Sequence, residues 1–412
     1  MPFRFDQSSI SRRALLRALA GAAGSAALAG PALAQRAEWG QAFDAAPRTI
    51  TMPRASYATL TASTVQSLER AIQEYGGIVA RGGWPIVQGP ERLRLGRRNR
   101  AVVALRQRLM VTNDLDQAAG LTDVFDSYVD AAVKRFQARH GITADGIVGE
   151  STYAALNVPA EVRLRQLETN LVRVRAMSGN LGNRYVVVNI PAAQLEAVED
   201  GVAVSRHIAV VGKPDRASPV LQAKIVEVNF HPFWTVPASI IKKDLIPLMQ
   251  KDPEYLTKNK IRIYDKRGRE LPADVVNWQS DEATDYMFRQ DPGAQNSLGT
   301  VRINMPNPQA VYMHDTPAKS LFGEDQRFIS SGCVRVQNVR ELVTWLLSDT
   351  PEWTRVQIEG VVKSGERIDA KLPKPVPVYW VYVTAWANPD GIVQFRDDVY
   401  GHDGLAPVAN RQ

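Results

Sequence analysis

Apolar residues recur at helical spacing through much of the chain between residues 55 and 180. In the segment 55–80, four apolar side chains follow one another at intervals of three or four, which predicts an amphipathic helix: Val65, Leu68, Ile72 and Tyr75. Further segments with this period are predicted helices: 100–109, 127–140 and 160–178. We expect the first and last helices to pack together, so that 35–90 and 158–182 form a helical scaffold interrupted by residues 91–157.

After Gly182 the apolar period falls to two, which predicts β-strands. Strands are expected at 185–190, 194–199, 202–211, 224–229, 301–304 and 311–314, with a weaker one at 355–359. Residues 240–295 are rich in Lys and Asp, begin with an expected helix at 240–250, and form a predicted inserted subdomain. The pattern therefore predicts an α+β multidomain protein, with a mostly-β domain at 183–365 and a C-terminal extension at 366–412.

The first 34 residues have the features of an export signal and are set apart from the fold. Ser11-Arg-Arg-Ala-Leu-Leu-Arg17 is close to a twin-arginine pattern, and Ala32-Leu-Ala34 offers small residues for cleavage. The alternative is a basic N-terminal helix. The export interpretation predicts a periplasmic protein, and no later segment has 18 uninterrupted apolar residues.

The net charge of +7 suggests a polyanionic partner at first sight. Four arginines and one aspartate in the predicted signal account for +3 of it, so +4 remains on the mature chain. A balance this mild predicts no nucleic-acid partner, although it suits an anionic polymer such as a cell wall. No phosphate-binding glycine motif and no tight metal-ligand spacing occurs, so neither a cofactor nor a metal is expected.

One cysteine among 412 residues excludes an intramolecular disulfide and any zinc site with two thiolates. Cys333 lies 19 residues after His314, and a nearby imidazole can accept the proton of a thiol and activate it as a nucleophile. Gly332 allows close approach of the backbone to a substrate. If Cys333 lies near the start of a predicted helix at 338–347, the positive end of the helix dipole lowers the pKa of the thiol. The residues alone leave open a buried, inert cysteine and a structural histidine.

The segment 91–157 carries a first resemblance. Phe136-Gln-Ala-Arg-His-Gly141 and Asp145-Gly-Ile-Val-Gly-Glu-Ser-Thr152 resemble the second half of a small three-helix peptidoglycan-binding module. Gly141 suits the C′ position of the helix before it. The resemblance implies the fold of that module and, less directly, binding to the wall.

A second resemblance extends over nearly all of the mature chain. His314-Asp-Thr-Pro317 followed by Ser330-Ser-Gly-Cys-Val-Arg335 resembles the catalytic signature of L,D-transpeptidases with a YkuD-type domain. Further segments are similar to the large periplasmic, YcbB-like branch: Gly82–Pro85, Tyr185–Pro191, Val211–Arg216, Asn229–Pro237, Asn296–Gly299, Met305–Pro308 and Phe395–Gly401. This branch implies an inserted wall-binding module and a capping subdomain over the active site.

The resemblance also implies the roles of individual residues. Cys333 becomes the nucleophile and His314 the base, and the imidazole is oriented by the backbone carbonyl or the side chain of Asp315. Gly332 and Cys333 supply oxyanion N–H groups, and Arg335 is a structural residue or a contact to a substrate carboxylate. Four more residues are placed beside the substrate, although core packing explains Trp234 more simply: Ser330, Ser331, Tyr312 and Trp234. Ser331 stands where many family members have His, and it cannot replace that residue as a base.

The expected function is a peptidoglycan L,D-transpeptidase that forms 3→3 cross-links through a cysteine acyl-enzyme. Its expected partners are the donor tetrapeptide stem and the acceptor amine of a second stem, with other wall synthases as further candidates. Two alternatives remain: an L,D-carboxypeptidase that gives the same thioester to water, and a non-catalytic wall-binding scaffold. Ser331 is the only sequence feature that favours the scaffold.

Overall fold

The computed structural model describes residues 57–90 and 92–404, so the predicted signal peptide at 1–34 lies outside the described residues. The α-helices are α1 (Thr64–Ala80), α2 (Ala101–Val111), α3 (Ser127–Arg139), α4 (Glu150–Leu156), α5 (Ala160–Met177), α6 (Ala238–Ile240), α7 (Ile246–Lys251), α8 (Tyr255–Lys258), α9 (Val339–Leu346) and α10 (Arg355–Ser364). A π-helical segment, Ile241–Leu245, joins α6 to α7. None of the helices in these described ranges is long and apolar enough to cross a membrane.

The strands are β1 (Arg184–Asn189), β2 (Gln194–Glu199), β3 (Val202–Gly212), β4 (Leu221–Phe230), β5 (Trp234–Thr235), β6 (Ile261–Tyr264), β7 (Glu270–Leu271), β8 (Met287–Gln290), β9 (Val301–Asn304), β10 (Met313–His314), β11 (Phe328–Ser330), β12 (Val334–Val336), β13 (Ile368–Val381), β14 (Ala385–Ala387) and β15 (Val393–Phe395). The main sheet has the order β11-β3-β12-β10-β9-β4-β13-β1-β2, and β2 also pairs with β3. This last pairing closes eight of the strands into a barrel, with β11 attached beside β3.

Alternation along β1 explains how the barrel and the helical scaffold share one sheet. Val186 and Val188 pack in the barrel core together with the buried side chains of α9. Tyr185 and Val187 pack in a second apolar cluster, together with the buried side chains of α1 and α5. Successive side chains of a strand point to opposite faces of the sheet, so β1 can be buried on both of its faces. The predicted packing of α1 against α5 is confirmed.

The predicted boundary at residue 365 does not follow the barrel. Strand β13 begins at Ile368 and lies between β4 and β1, where Trp380 is fully buried. Three prolines, at 373, 375 and 377, interrupt its alternating pattern, and the register with β4 shifts between Lys371 and Val376. Proline cannot donate to a ladder and commonly marks such irregularities, which is why the strand was not predicted.

The strand predicted at 355–359 is wrong, because these residues begin helix α10. The alternation in Arg355-Val-Gln-Ile-Glu359 imitates a strand over five residues only. The side chain of Thr354 caps the helix by accepting a hydrogen bond from the Gln357 N–H, and Gly365 ends it with a φ of +74°.

The inserted segments form units of their own. Helices α2, α3 and α4 enclose a separate core that includes Leu105, Leu109 and Phe136, as the apolar spacing predicts. Gly141 follows α3 with a φ of +69°. Strands β5, β8, β6 and β7 form a second sheet outside the barrel. Three of these strands, β6, β7 and β8, belong to the insertion predicted at 240–295, and β5 precedes it.

Candidate active site

The strand register brings together the two segments that carry the predicted catalytic residues. Strand β10 pairs in parallel with β12, so that Met313 lies opposite Val334 and His314 opposite Arg335. Cys333 immediately precedes β12, and the residue as a whole is partly exposed. The predicted stabilisation of a Cys333 thiolate by a helix dipole does not apply in this arrangement, because β12 separates Cys333 from the start of α9 at Val339.

His314 is held as a neutral base. Its side chain is 6% exposed, and its Nδ1 lies 2.5 Å from the carbonyl oxygen of Asp315. A carbonyl oxygen only accepts, so Nδ1 carries the proton and Nε2 keeps its lone pair. Burial and the nearby positive charge of Arg335 lower the pKa of His314 to about 3. The imidazole is therefore neutral, with its one proton on Nδ1, throughout the neutral pH range.

Cys333 is also neutral at rest. Burial raises the pKa of its thiol to about 11, against the opposing effects of a hydrogen bond from the Tyr312 backbone and the charges of Arg335 and Arg302. With both groups neutral, the site does not hold a preformed thiolate–imidazolium pair. If Sγ acts as the predicted nucleophile, its proton has to leave as Sγ attacks, which would be general-base catalysis.

The side chain of Asp315 does not orient His314. Its Oδ2 accepts hydrogen bonds from the Thr300 N–H at 3.0 Å and from the Thr300 hydroxyl at 2.9 Å, and its Oδ1 pairs with Lys319. Gly299, with a φ of +60°, leaves the space that this carboxylate occupies, since a Cβ there would lie 2.6 Å from Oδ2. Of the two roles predicted for Asp315, the structure supports the backbone carbonyl.

Ser330 fixes the turn that carries Cys333. Its hydroxyl donates to the Cys333 carbonyl oxygen at 2.6 Å and accepts from the Gly332 N–H at 3.2 Å. The predicted oxyanion role of Gly332 is therefore not supported, because its N–H already has an acceptor. Within residues 57–90 and 92–404, the Cys333 N–H has no hydrogen-bond acceptor. Ser330 is 2% exposed, which fits a structural role better than a substrate contact.

Ser331 is exposed and links the catalytic turn to the inserted subdomain. Its hydroxyl oxygen accepts a hydrogen bond from Arg216 Nη1 at 3.0 Å. The same guanidinium pairs with Asp244, where Nη2 lies 3.0 Å from Oδ1, and this contact raises the pKa of Arg216. Asp244 lies in the π-helical segment of the insertion.

Tyr312 contacts both His314 and the side chain of Trp234. The ring of Tyr312 meets the imidazole of His314 edge-on, with centroids 5.8 Å apart. Burial raises the pKa of the Tyr312 hydroxyl, which is hydrogen-bonded to the side chain of Trp234. Trp234 is 4% exposed, so it supports Tyr312 from behind and offers little surface to a substrate.

Comparison with known proteins gives the identity of two parts of the chain. Residues 183–358 match the L,D-transpeptidase catalytic domain of YkuD type, and residues 98–156 match a putative peptidoglycan binding domain. The chain carries an L,D-transpeptidase catalytic domain. The segment that matches a putative peptidoglycan binding domain precedes it, as the resemblance in the sequence implied.

Two curated proteins match parts of the chain. A putative L,D-transpeptidase of Haemophilus influenzae is 36% identical over 219 residues, which are 53% of this chain and 44% of that protein. The N-acetylmuramoyl-L-alanine amidase CwlM of Mycobacterium tuberculosis is 43% identical over 72 residues, which are 16% of this chain and 18% of that protein. The chain thus spans less than half the length of the curated relatives it matches.

Solved L,D-transpeptidases resemble the chain more distantly. One from Xylanimonas cellulosilytica is 16% identical with a TM-score of 0.23, and the match covers 71% of this chain and 99% of that one. One from Mycobacterium smegmatis is 13% identical with a TM-score of 0.24, and the match covers 48% of this chain and 58% of that one. TM-scores this low carry no argument about the fold or the activity.

Three residues that were not identified from the sequence contact the turn at 330–333 through their side chains or affect the pKa of Cys333: Arg216, Ser218 and Arg302. Arg216 and Ser218 reach the catalytic turn from the loop after β3, and Arg302 reaches the site from β9. Arg216 ends one of the segments similar to the family, which was the one available signal. Metal chemistry has no visible ligand set, since the part of the chain that the structure describes holds no cluster of three His, Cys, Asp or Glu side chains.

Arg335 lowers the pKa of both Cys333 and His314, and this gives a prediction. Arg335→Gln removes a positive charge that favours the thiolate, so the pKa of Cys333 should rise and alkylation by iodoacetamide at pH 9 should slow about 2- to 10-fold. The pKa of His314 should rise at the same time, because the imidazolium loses a repulsive neighbour. Alkylation rates against pH and the NMR titration of His314 measure the two changes.

Arg335→Lys is the matched control for that variant, because it keeps the charge. Its alkylation profile should stay close to that of the unchanged protein. Equal effects of both substitutions would assign Arg335 a packing role instead of an electrostatic one.

Proposed function

We propose that this protein forms 3→3 cross-links between peptidoglycan stem peptides through an acyl-thioenzyme on Cys333. The L,D-transpeptidase domain and the peptidoglycan-binding domain support the substrate class. The observation that carries the mechanism is the hydrogen bond from His314 Nδ1 to the Asp315 carbonyl, which leaves Nε2 as a base on the strand beside Cys333.

The chemistry needs two transfers of one acyl group. Sγ attacks the carbonyl of the third stem residue while His314 Nε2 takes the thiol proton, and the Cys333 N–H stabilises the oxyanion. The bond to D-Ala breaks, its nitrogen takes the proton from the imidazolium, and a thioester remains. The amine of a second stem then attacks the thioester, gives a proton to His314, and expels the thiolate, which is reprotonated. The site thus returns to its neutral resting state.

The remaining parts of the chain fit a wall-bound enzyme. The domain at 98–156 folds around its own core, and we infer that it holds the protein on the polymer that the barrel modifies. The twin-arginine-like pattern at 11–17 supports a periplasmic location for this reaction. The inserted subdomain, which contacts the catalytic turn through Arg216, is inferred to cap the bound stem.

Purified muropeptides test the proposal directly. The protein is incubated with disaccharide tetrapeptides, and the products are separated and identified by mass spectrometry. The expected products are free D-Ala and dimers joined between the third residues of two stems. Tripeptides without dimers would make the protein an L,D-carboxypeptidase, and unchanged substrate would favour the non-catalytic scaffold.

A further inference from the structure

The loop after strand β3, residues 213–218, holds the catalytic turn at three consecutive residues. A backbone N–H, a guanidinium and a hydroxyl each donate one hydrogen bond to this turn, and none of the three residues belongs to the catalytic segments. The contacts are Lys213 N–H to the Ser330 carbonyl at 3.0 Å, Arg216 Nη1 to Ser331 Oγ at 3.0 Å, and Ser218 Oγ to the Gly332 carbonyl at 2.8 Å.

Ser218 is the best-anchored of the three. It is 2% exposed, and its oxygen accepts from the Gly212 N–H at 2.9 Å while it donates to Gly332. The hydroxyl of Tyr400 lies 3.3 Å from the Ser218 nitrogen, from which it accepts, and it donates to the Gly212 carbonyl at 2.5 Å. Gly212 has to be glycine here, since a Cβ would lie 2.5 Å from the Ser218 nitrogen.

The hydrogen bond from Ser218 to the Gly332 carbonyl fixes the orientation of the Cys333 N–H. The Gly332 carbonyl and the Cys333 N–H belong to one planar trans peptide, so they point in opposite directions. Gly332 has a φ of +111°, a conformation in which glycine sterics alone leave the neighbouring peptide free to rotate. When Ser218 holds the carbonyl on the buried side, the N–H of Cys333 is turned away from Ser218, toward the opposite side of the turn.

We propose that Ser218, supported by Tyr400, is a positioning residue that aims the Cys333 N–H at the carbonyl oxygen of the acyl donor. The inference rests on the acyl transfer in the proposed function and adds the residue that orients its oxyanion donor. An N–H fixed before the reaction stabilises developing charge without reorganisation, whereas a freely rotating peptide does not.

Two reactions of the same thiol separate this role from a structural one. Acylation by p-nitrophenyl acetate passes through an oxyanion, whereas alkylation by iodoacetamide is a displacement at a saturated carbon and forms none. Ser218→Ala should slow acylation about 10-fold or more, approaching the about 10²- to 10³-fold cost of a lost oxyanion donor. Alkylation, measured at the same pH on the full chain, should stay within about 2-fold, because the pKa of the thiol does not depend on this serine.

Three further variants complete the test. Ser205→Ala removes a hydroxyl that contacts His207 away from the site and should change neither rate. Ser218→Thr keeps the hydroxyl and should restore acylation. Tyr400→Phe removes the support of Ser218 and should slow acylation selectively but less, which keeps the question answerable if Ser218→Ala fails to fold.

The proposal is overturned if acylation and alkylation slow by the same factor, or if acylation does not slow. Acylation of the unchanged protein by the ester, without any reaction of muropeptides, would defeat the proposed function and leave the comparison at Ser218 valid. Failure of the ester to acylate Cys333 at all would defeat both proposals.

Discussion

Cys333→Ala should abolish cross-linking of muropeptides and every covalent adduct of the protein. The chain has one cysteine, so no second thiol can replace the nucleophile. Loss of a catalytic nucleophile commonly costs about 10⁴- to 10⁶-fold in turnover, because only binding and oxyanion stabilisation remain. The resemblance to L,D-transpeptidases implies that carbapenems acylate Cys333. Intact-mass spectrometry after incubation with a carbapenem, together with product analysis on sacculi, measures both losses.

A second variant with a thiol at another position tests whether any cysteine is sufficient or whether the thiol must lie at position 333. Ser364→Cys in the Cys333→Ala background puts a thiol on the exposed end of α10. It should be alkylated by iodoacetamide but should gain no carbapenem adduct, because the hydroxyl of Ser364 contacts the backbone of Val361 and Glu366 and none of the proposed site residues. Turnover of muropeptides by Cys333→Ala would refute the acyl-enzyme mechanism.

The sequence predicted those elements whose apolar pattern was uninterrupted. Helices α1, α2, α3 and α5 and strand β2 lie close to their predicted positions because each shows a regular period over its whole length. Strand β13 was missed since its prolines conceal the alternation, although it is central to the barrel. Helix α10 was mistaken for a strand because five residues are too few to distinguish the two periods.

The candidate catalytic pair could be proposed from the sequence, but the hydrogen bonds around it could not. Cys333 and His314 stand in a characteristic motif, and residue type alone suggests their chemistry. The functions of Asp315 and Gly332 depend on which backbone groups already have partners, and sequence carries no such information. Ser218 lies 115 residues before Cys333, so only the closure of the barrel reveals that it contacts the catalytic turn.

The neutral resting state of the two catalytic groups changes what the base has to do. With a thiol pKa of about 11, roughly one molecule in 10⁴ carries a thiolate at pH 7. Oxidation and alkylation of this thiol in the absence of substrate should be slow, since the thiolate is the reactive form. Activation then has to coincide with substrate attack, and His314 becomes more important than in an enzyme with a preformed ion pair.

His314→Gln should therefore slow acylation of Cys333 about 10²- to 10⁴-fold at pH 7. The pH dependence should also change. In the unchanged protein the pKa of His314 is about 3, so the base is available and acylation should be nearly flat from pH 5 to 9. In the variant only thiolate reacts, so the rate should rise about tenfold per pH unit until the thiol titrates near pH 11. Stopped-flow acylation across this range measures both profiles.

His207→Gln is the matched control, because His207 is equally buried and its Nδ1 lies 2.9 Å from a backbone carbonyl, that of Gln337. It should keep the flat profile and the rate of the unchanged protein, since it is not part of the site. A flat profile in His314→Gln would show that another group takes the thiol proton. A rising profile that meets the rate of the unchanged protein at high pH would show that His314 acts on the proton alone, because a lost structural contact would leave a deficit at every pH.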